Sequence, residues 1–132
     1  MAITDPISDM FTRIRNALLI KNDEVVIPHS GIKLEIAKLL KEDGYIRFFE
    51  VQEEQGKKSL KVGLKYDSKG ISVISEMVRS SRPGKRIYVK KKHVPKVLNG
   101  IGLSILSTSK GVLSGKSARL GNVGGELIGI VS

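Results

Sequence analysis

Arg86-Ile-Tyr-Val-Lys90 sets an aromatic ring between two cations at alternate positions of a short β-prone run. Successive side chains of a strand point to opposite faces, so Ile87 and Val89 turn inward while Arg86, Tyr88 and Lys90 share the outer face. A phenol in that position can stack on a nucleobase while its neighbours meet phosphates; the plainer alternative is a ring laid over a lysine stem. Lys91, Lys92 and Lys96 extend the patch as phosphate contacts, which position a backbone without reading its sequence. A second group, Ser107-Thr-Ser-Lys-Gly111, follows an apolar run. The hydroxyls of Ser107, Thr108 and Ser109 both donate and accept, Lys110 adds a cation, and Gly111 permits close approach, so the loop suits a phosphate, a ribose hydroxyl or a base edge. An ordinary Ser/Gly-rich turn has the same composition. Asn122-Val-Gly-Gly-Glu126 is a third group, in which Asn122 and Gly124 belong to a loop and Glu126 opens a final strand. Glu126 either pins this loop or a neighbouring cation, or accepts from a base amino group.

Catalytic readings of the same residues fail on spacing. Ser107 and Lys110 fit Ser-x-x-Lys, but the Ser-Asp-Asn and Lys-Thr-Gly elements of the serine acyl-enzymes that use it are absent. Gly100-Ile-Gly102 lacks the third glycine of a dinucleotide fingerprint, and Gly115-Lys116-Ser117 lacks the earlier glycine of a phosphate loop. His29 and His93 stand without ligand-spaced partners, and the chain has no cysteine, so the sequence calls for no metal and no cofactor.

Charge supports the nucleic-acid reading. Between Glu76 and Glu126 the chain runs 49 residues without an acid while carrying 11 lysines and arginines. Residues 1–66 sum to a net +1, and residues 67–132 to a net +9. Self-repulsion of that kind opposes compaction slightly, and a polyanion removes it while releasing counterions. A basic surface kept only for solubility is the bland alternative.

The elements that position these groups follow from periodicity. At 132 residues the chain suits one compact domain or two small lobes. Asp5 reads as an N-cap with Pro6 at the first helical position, and Ile7, Met10, Phe11, Ile14, Ala17 and Leu18 form one helical stripe. An extended run, Glu24–Ile27, ends at Pro28. Ser30 caps a second helix containing Ile32, Ile36, Leu39 and Leu40, stopped at Gly44. Tyr45–Val51 and Leu60–Tyr66 read as a hairpin turning at Glu53–Lys57. Asp67–Gly70 is the expected lobe boundary, dividing 1–66 from 67–132. Beyond it strands are expected at Ile71–Val78, Arg86–Lys90, Ile101–Leu106 and Glu126–Val131, with a turn at Arg82-Pro-Gly84 and short helical segments at Val94–Leu98 and Ser114–Leu120. The amino terminus has no basic region followed by an apolar run, and no apolar stretch approaches the ~20 residues that span a bilayer. A cytoplasmic protein without a membrane partner is expected.

Thr4-Asp-Pro-Ile7, Asp9-Met10, Arg13-Ile-Arg-Asn16, Ser81-Arg-Pro-Gly84, Arg86-Ile-Tyr-Val89, Val94-Pro-Lys-Val-Leu-Asn-Gly100, Ser107-Thr-Ser-Lys-Gly-Val112 and Asn122-Val-Gly-Gly-Glu126, in this order over essentially the whole chain, resemble bacterial small-subunit ribosomal protein eight of the S-series. The resemblance implies an α+β fold of two lobes, α-β-α-β-β followed by mostly antiparallel β with short helices. It implies a non-enzymatic role: binding an irregular helix of the 16S rRNA central domain and organising the platform of the subunit. Tyr88 and the loop from Ser107 match the family's main RNA-contacting elements; Thr4, Arg13 and Asn16 match a secondary contact. Proteins five and twelve of the same series are implied neighbours, and some members repress their own operon through a similar mRNA structure. One departure concerns Ser114-Gly-Lys116, where glycine and lysine at a helix start oppose propensity and macrodipole, so a frayed or shifted helix is expected. The end, Ile130-Val-Ser132, lacks the family's common aromatics. A general double-stranded nucleic-acid binder is the rival reading.

Overall fold

The structure, a computed structural model, describes residues 5–90 and 102–132. The Val94–Leu98 helical turn, Lys91, Lys92, Lys96, His93 and Thr4 lie outside the described residues. The fold is α+β in two compact units: Ile7–Ile74, and Ser75–Ser132 together with the segment ending at Pro6.

The first unit is built as α1 (Pro6–Leu19), β1 (Glu24–Pro28), α2 (Gly31–Glu42), β2 (Ile46–Glu54) and β3 (Lys57–Leu64). Proline at the first position of α1 lacks only an N–H that would have no helical partner there. Ile7, Met10, Phe11, Ile14 and Ala17 are its buried stripe. The Ser30 hydroxyl accepts from the Lys33 N–H at 3.3 Å and so caps α2. At the other end Gly44 takes φ 79°, and the Tyr45 N–H returns to the Leu40 carbonyl at 2.8 Å, closing the helix with a left-handed residue. The strands order as β1-β3-β2, all antiparallel. Gln55 and Gly56 both have positive φ, the two-residue hairpin turn whose twist matches that of its strands. Leu60, Val62 and Leu64 are buried as the alternation requires.

The buried face of α2 adds a feature the sequence reading did not address, and two details differ from it. In α2 the buried set is Lys33, Ile36, Ala37 and Leu40, while Ile32 is exposed and Leu39 half-buried. Lys33 donates its Nζ to the Pro28 carbonyl at 3.0 Å, which lets a cation occupy an inward position. Burial lowers its pKa, Asp9 works against that, and Arg13 adds to it. Ile71–Val78 is not a continuous strand, and only β4 (Met77–Arg79) is regular. Side-chain oxygens claim the backbone before it: Asp67 Oδ1 accepts from the Lys69 and Ile71 N–H groups at 2.8 and 2.9 Å, and Ser72 Oγ accepts from Ile74 N–H at 3.1 Å. The Asp67–Gly70 turn also lies inside the first unit and not at its border. Val73 N–H donates to Lys65 O at 3.0 Å, so the chain leaves the unit only after Ile74.

The second unit adds β5 (Tyr88–Val89), β6 (Leu103–Thr108), β7 (Gly111–Ser114), α3 (Gly115–Leu120) and β8 (Gly125–Val131) to β4. The order is β4-β8-β6-β7, with β5 pairing the same β8 beside β4. Arg82–Lys85 turns out and back between them through reciprocal backbone bonds of 3.0 and 2.9 Å. The expected strand Arg86–Lys90 shortens to two residues, although the Ile87 carbonyl still accepts from Leu127 N–H at 2.9 Å. The helix start at Ser114 is formed, not frayed. The Ser114 hydroxyl accepts from Ser117 N–H at 3.1 Å, supplying the cap that Gly115 and Lys116 do not.

Candidate nucleic-acid interface

The register of the second sheet brings together residues far apart in sequence. Tyr88 lies opposite Glu126, Glu126 opposite Ser107, and Ser107 opposite Val112, one row across β5, β8, β6 and β7. Directly opposed side chains share a face. The neighbouring row turns the other way: Leu106 and Leu127 are buried with Ala118 of α3, and Ile87, Val89 and Val123 pack against them. That apolar side fixes the sheet's orientation and leaves Tyr88 70% exposed. Arg86 and Lys90 flank it, both exposed, so the alternation read in Arg86–Lys90 holds although the regular strand is shorter.

Glu126 is the most heavily held member of the row. Its Oε2 accepts from Ser81 Oγ at 2.5 Å and from Arg86 Nη1 at 2.9 Å. Burial alone would push this carboxyl up, but the bonds from Ser81 and Arg86, with the nearby Arg79 charge, outweigh it and leave the pKa below the ordinary 4.5. Glu126 therefore pins Arg86. Among the described residues its Oε1 accepts no hydrogen bond.

The hydroxyl loop divides into two kinds of residue. Thr108 Oγ1 donates to the Gly111 carbonyl at 2.8 Å and accepts from Lys110 N–H at 3.0 Å, so its single proton braces the turn. Gly111 needs φ 105°, which a side chain resists. The Ser107 hydroxyl makes no hydrogen bond among the described residues, and its side chain lies on the face opposite buried Leu106; Ser109 is exposed at the tip. Lys110 Nζ reaches the Gly121 carbonyl at 3.3 Å, at the end of α3. Asn122 follows with φ 54°, its N–H returning to Arg119 O at 3.1 Å, and so ends α3 in the left-handed conformation asparagine tolerates.

Two glycines let these strands approach. A Cβ on Gly124 would stand 2.3 Å from the Val89 carbonyl oxygen, and one on Gly125 2.2 Å from that of Ser107. Sequence reading identified Gly124 but gave no role to Gly125 or Ser81. Two consecutive glycines at a strand start were the available signal for Gly125. Ser81 carried none, because its partner lies 45 residues away.

Tyr88, Arg86, Lys90, Ser107–Gly111, Asn122, Gly124 and Glu126 thus all belong to the second unit, which carries 11 basic and 3 acidic residues. Arg13 and Asn16 belong to α1 of the first unit. Arg13 Nε is bonded to Asp9 at 2.8 Å, and Asn16 is exposed. Among the described residues there is no cluster of His, Cys, Asp or Glu able to hold a metal, and no helix long and apolar enough to cross a membrane.

The family described as ribosomal protein S8 matches residues 5–132. The chain belongs to this family. Among similar proteins are those called small ribosomal subunit protein uS8 from Thermodesulfovibrio yellowstonii, 50% identical over 96% of both chains, and from Halothermothrix orenii, 52% identical over 97% of both. The protein of that name from Lactobacillus delbrueckii subsp. bulgaricus is 50% identical over 99% of both. The S8 family is structural and non-enzymatic, in keeping with the failure of every catalytic spacing above. The row from Tyr88 to Val112 crosses the second sheet of this S8-family fold.

Proposed function

We propose that this chain is a structural constituent of the small ribosomal subunit whose second unit binds an irregular helix of the 16S rRNA central domain. The observation that carries the reading is the cross-strand row Tyr88–Glu126–Ser107, an exposed ring, a fixed carboxylate and an unengaged hydroxyl in one line. Lys90 and Arg86 beside it supply phosphate contacts, with Arg86 partly neutralised by Glu126. The deep major groove of regular A-form RNA admits no such row, whereas a distorted helix offers unstacked bases and ribose hydroxyls to it. Arg13 and Asn16, with Thr4, form a secondary contact. The family resemblance supports proteins five and twelve of the small-subunit series as neighbours, a place in ribosome assembly in the cytoplasm, and repression of the chain's own operon through a similar mRNA element.

Footprinting on full-length 16S rRNA tests the reading. Protection confined to one irregular helix of the central domain is the expected result. Uniform protection of regular duplex would assign the general double-stranded binder instead.

A further inference from the structure

Ser81 is fully buried, lies outside the row and has no charge, yet it touches three parts of the site at once. Its N–H donates to the Leu127 carbonyl at 3.0 Å, tying it to β8. Its hydroxyl proton goes to Glu126 Oε2. Its hydroxyl oxygen accepts from the N–H of Ile87, next to Tyr88, at 3.0 Å.

We infer that Ser81 is a positioning residue for the nucleic-acid face, setting both the line of β5 under Tyr88 and the direction of the Glu126 carboxylate; the inference rests on the reading of that face given above. Strand β5 is two residues long; among the described residues it pairs with Gly125 and Glu126 and is extended by the Leu127 N–H bond to the Ile87 carbonyl, so the Ser81 bond to Ile87 N–H is one of few that hold this segment. Among the described residues Glu126 without Ser81 would keep Arg86 as its hydrogen-bond partner, a side chain about half exposed. With Ser81 in place Oε2 takes two hydrogen bonds, while Oε1 accepts none among the described residues. A carboxylate oxygen on a phosphate-binding surface repels the backbone, and is favourable only where the nucleic acid presents a donor, an exocyclic amino group or a 2′-hydroxyl. Ser81 therefore acts on discrimination between RNAs, through Glu126, and not on electrostatic attraction.

The test uses the full chain with two RNA hairpins of equal length, one carrying an asymmetric internal loop from the 16S central domain, the other fully paired. The ratio of the two affinities is measured for the native chain, Ser81→Ala, Glu126→Gln, the double variant and Tyr88→Ala. Ser81→Ala is expected to lower the ratio about fivefold to tenfold, the scale of one ordinary net hydrogen bond, with the salt slope unchanged. The double variant should be no worse than the more affected single, because the two changes remove one arrangement. Should Ser81→Ala fail to fold, Ser81→Cys keeps a small side chain with a weaker donor and should give a smaller loss of the same kind. Additive losses, or an unchanged ratio in a folded Ser81 variant beside a loss in Tyr88→Ala, would overturn the inference and leave the face intact. An unchanged ratio in every variant, Tyr88→Ala included, would remove the reading of the face itself.

Discussion

Gly125→Ala puts the joint between β6 and β8 under direct test. The added Cβ would lie 2.2 Å from the Ser107 carbonyl oxygen, 2.9 Å from its carbon and 3.1 Å from Thr108 Cγ2. Relief to van der Waals contact needs about 1 Å or more of separation, and the nearest atoms are backbone that cannot turn aside. The strands must part where Thr108 faces Gly125 and Ser107 faces Glu126. Overpacking strain of about 1–3 kcal/mol adds to the loss of about one ladder hydrogen bond, about 1 kcal/mol. The expected destabilisation of the second unit is therefore about 2–4 kcal/mol, on the order of 10 °C or more in Tm for a unit of this size. Calorimetry or urea unfolding with a probe in the second unit would read it. The same opening displaces Ser107 from the row, so the surviving folded fraction should also lose preference for the irregular helix. A Gly125→Ala chain as stable as the native one would refute the close approach from which the argument starts. Gly124→Ala, aimed at the Val89 carbonyl 2.3 Å away, is the companion and should act on β5.

Tyr88→Ala should weaken binding to the irregular helix by about 1–3 kcal/mol at constant salt slope and with Tm nearly unchanged, since the ring is exposed; a changed Tm with unchanged binding in filter assays would make it a packing residue. Ser107→Ala should lower affinity for the irregular helix and spare plain duplex, whereas Thr108→Val should cost about 1 kcal/mol of stability and weaken both RNAs alike, because its hydroxyl braces Gly111 and Lys110; paired titrations and melting curves separate them, and matching profiles for the two would defeat the division. Glu126 has a depressed folded pKa, so its stabilisation is complete above the ordinary value of 4.5 and is lost as pH falls through the folded pKa; urea midpoints between pH 7 and pH 3 should fall more for the native chain than for Glu126→Gln, and parallel falls would contradict the assignment.

How far the sequence could be read depended on how far away the deciding partner lay. The two faces of Arg86–Lys90 were legible because a period of two needs only the strand itself. The caps at Ser30 and Ser114 act within three residues, and Ser30 was recognised for that reason. Lys33 was missed on the buried side of α2 because what admits it is the Pro28 carbonyl, a feature of the folded loop and not of helical periodicity. Ile71–Val78 read as a strand because β-propensity says nothing of Asp67 and Ser72 capturing the backbone. Composition placed Thr108 among the hydroxyls for contact, and only geometry shows its proton already committed. Ser81 and Gly125 answer to Glu126 and Ser107 across the sheet, and no local pattern could announce either.

The placement of β8 has a consequence for how the protein is made. Among the described residues Tyr88 and Ser107 meet across Glu126, on a strand that runs Gly125–Val131, and β4, β5 and β6 all pair with that strand. Its partners are separated from it by long stretches of chain, and such non-local pairings close late in folding. A polypeptide still being synthesised, or one broken off before Gly125, carries every lysine and arginine of the second unit but has no row to present. On the function proposed above, such a chain has the charge that attracts nucleic acid without the row that would distinguish one helix from another. The row itself is therefore not assembled until synthesis has passed Val131.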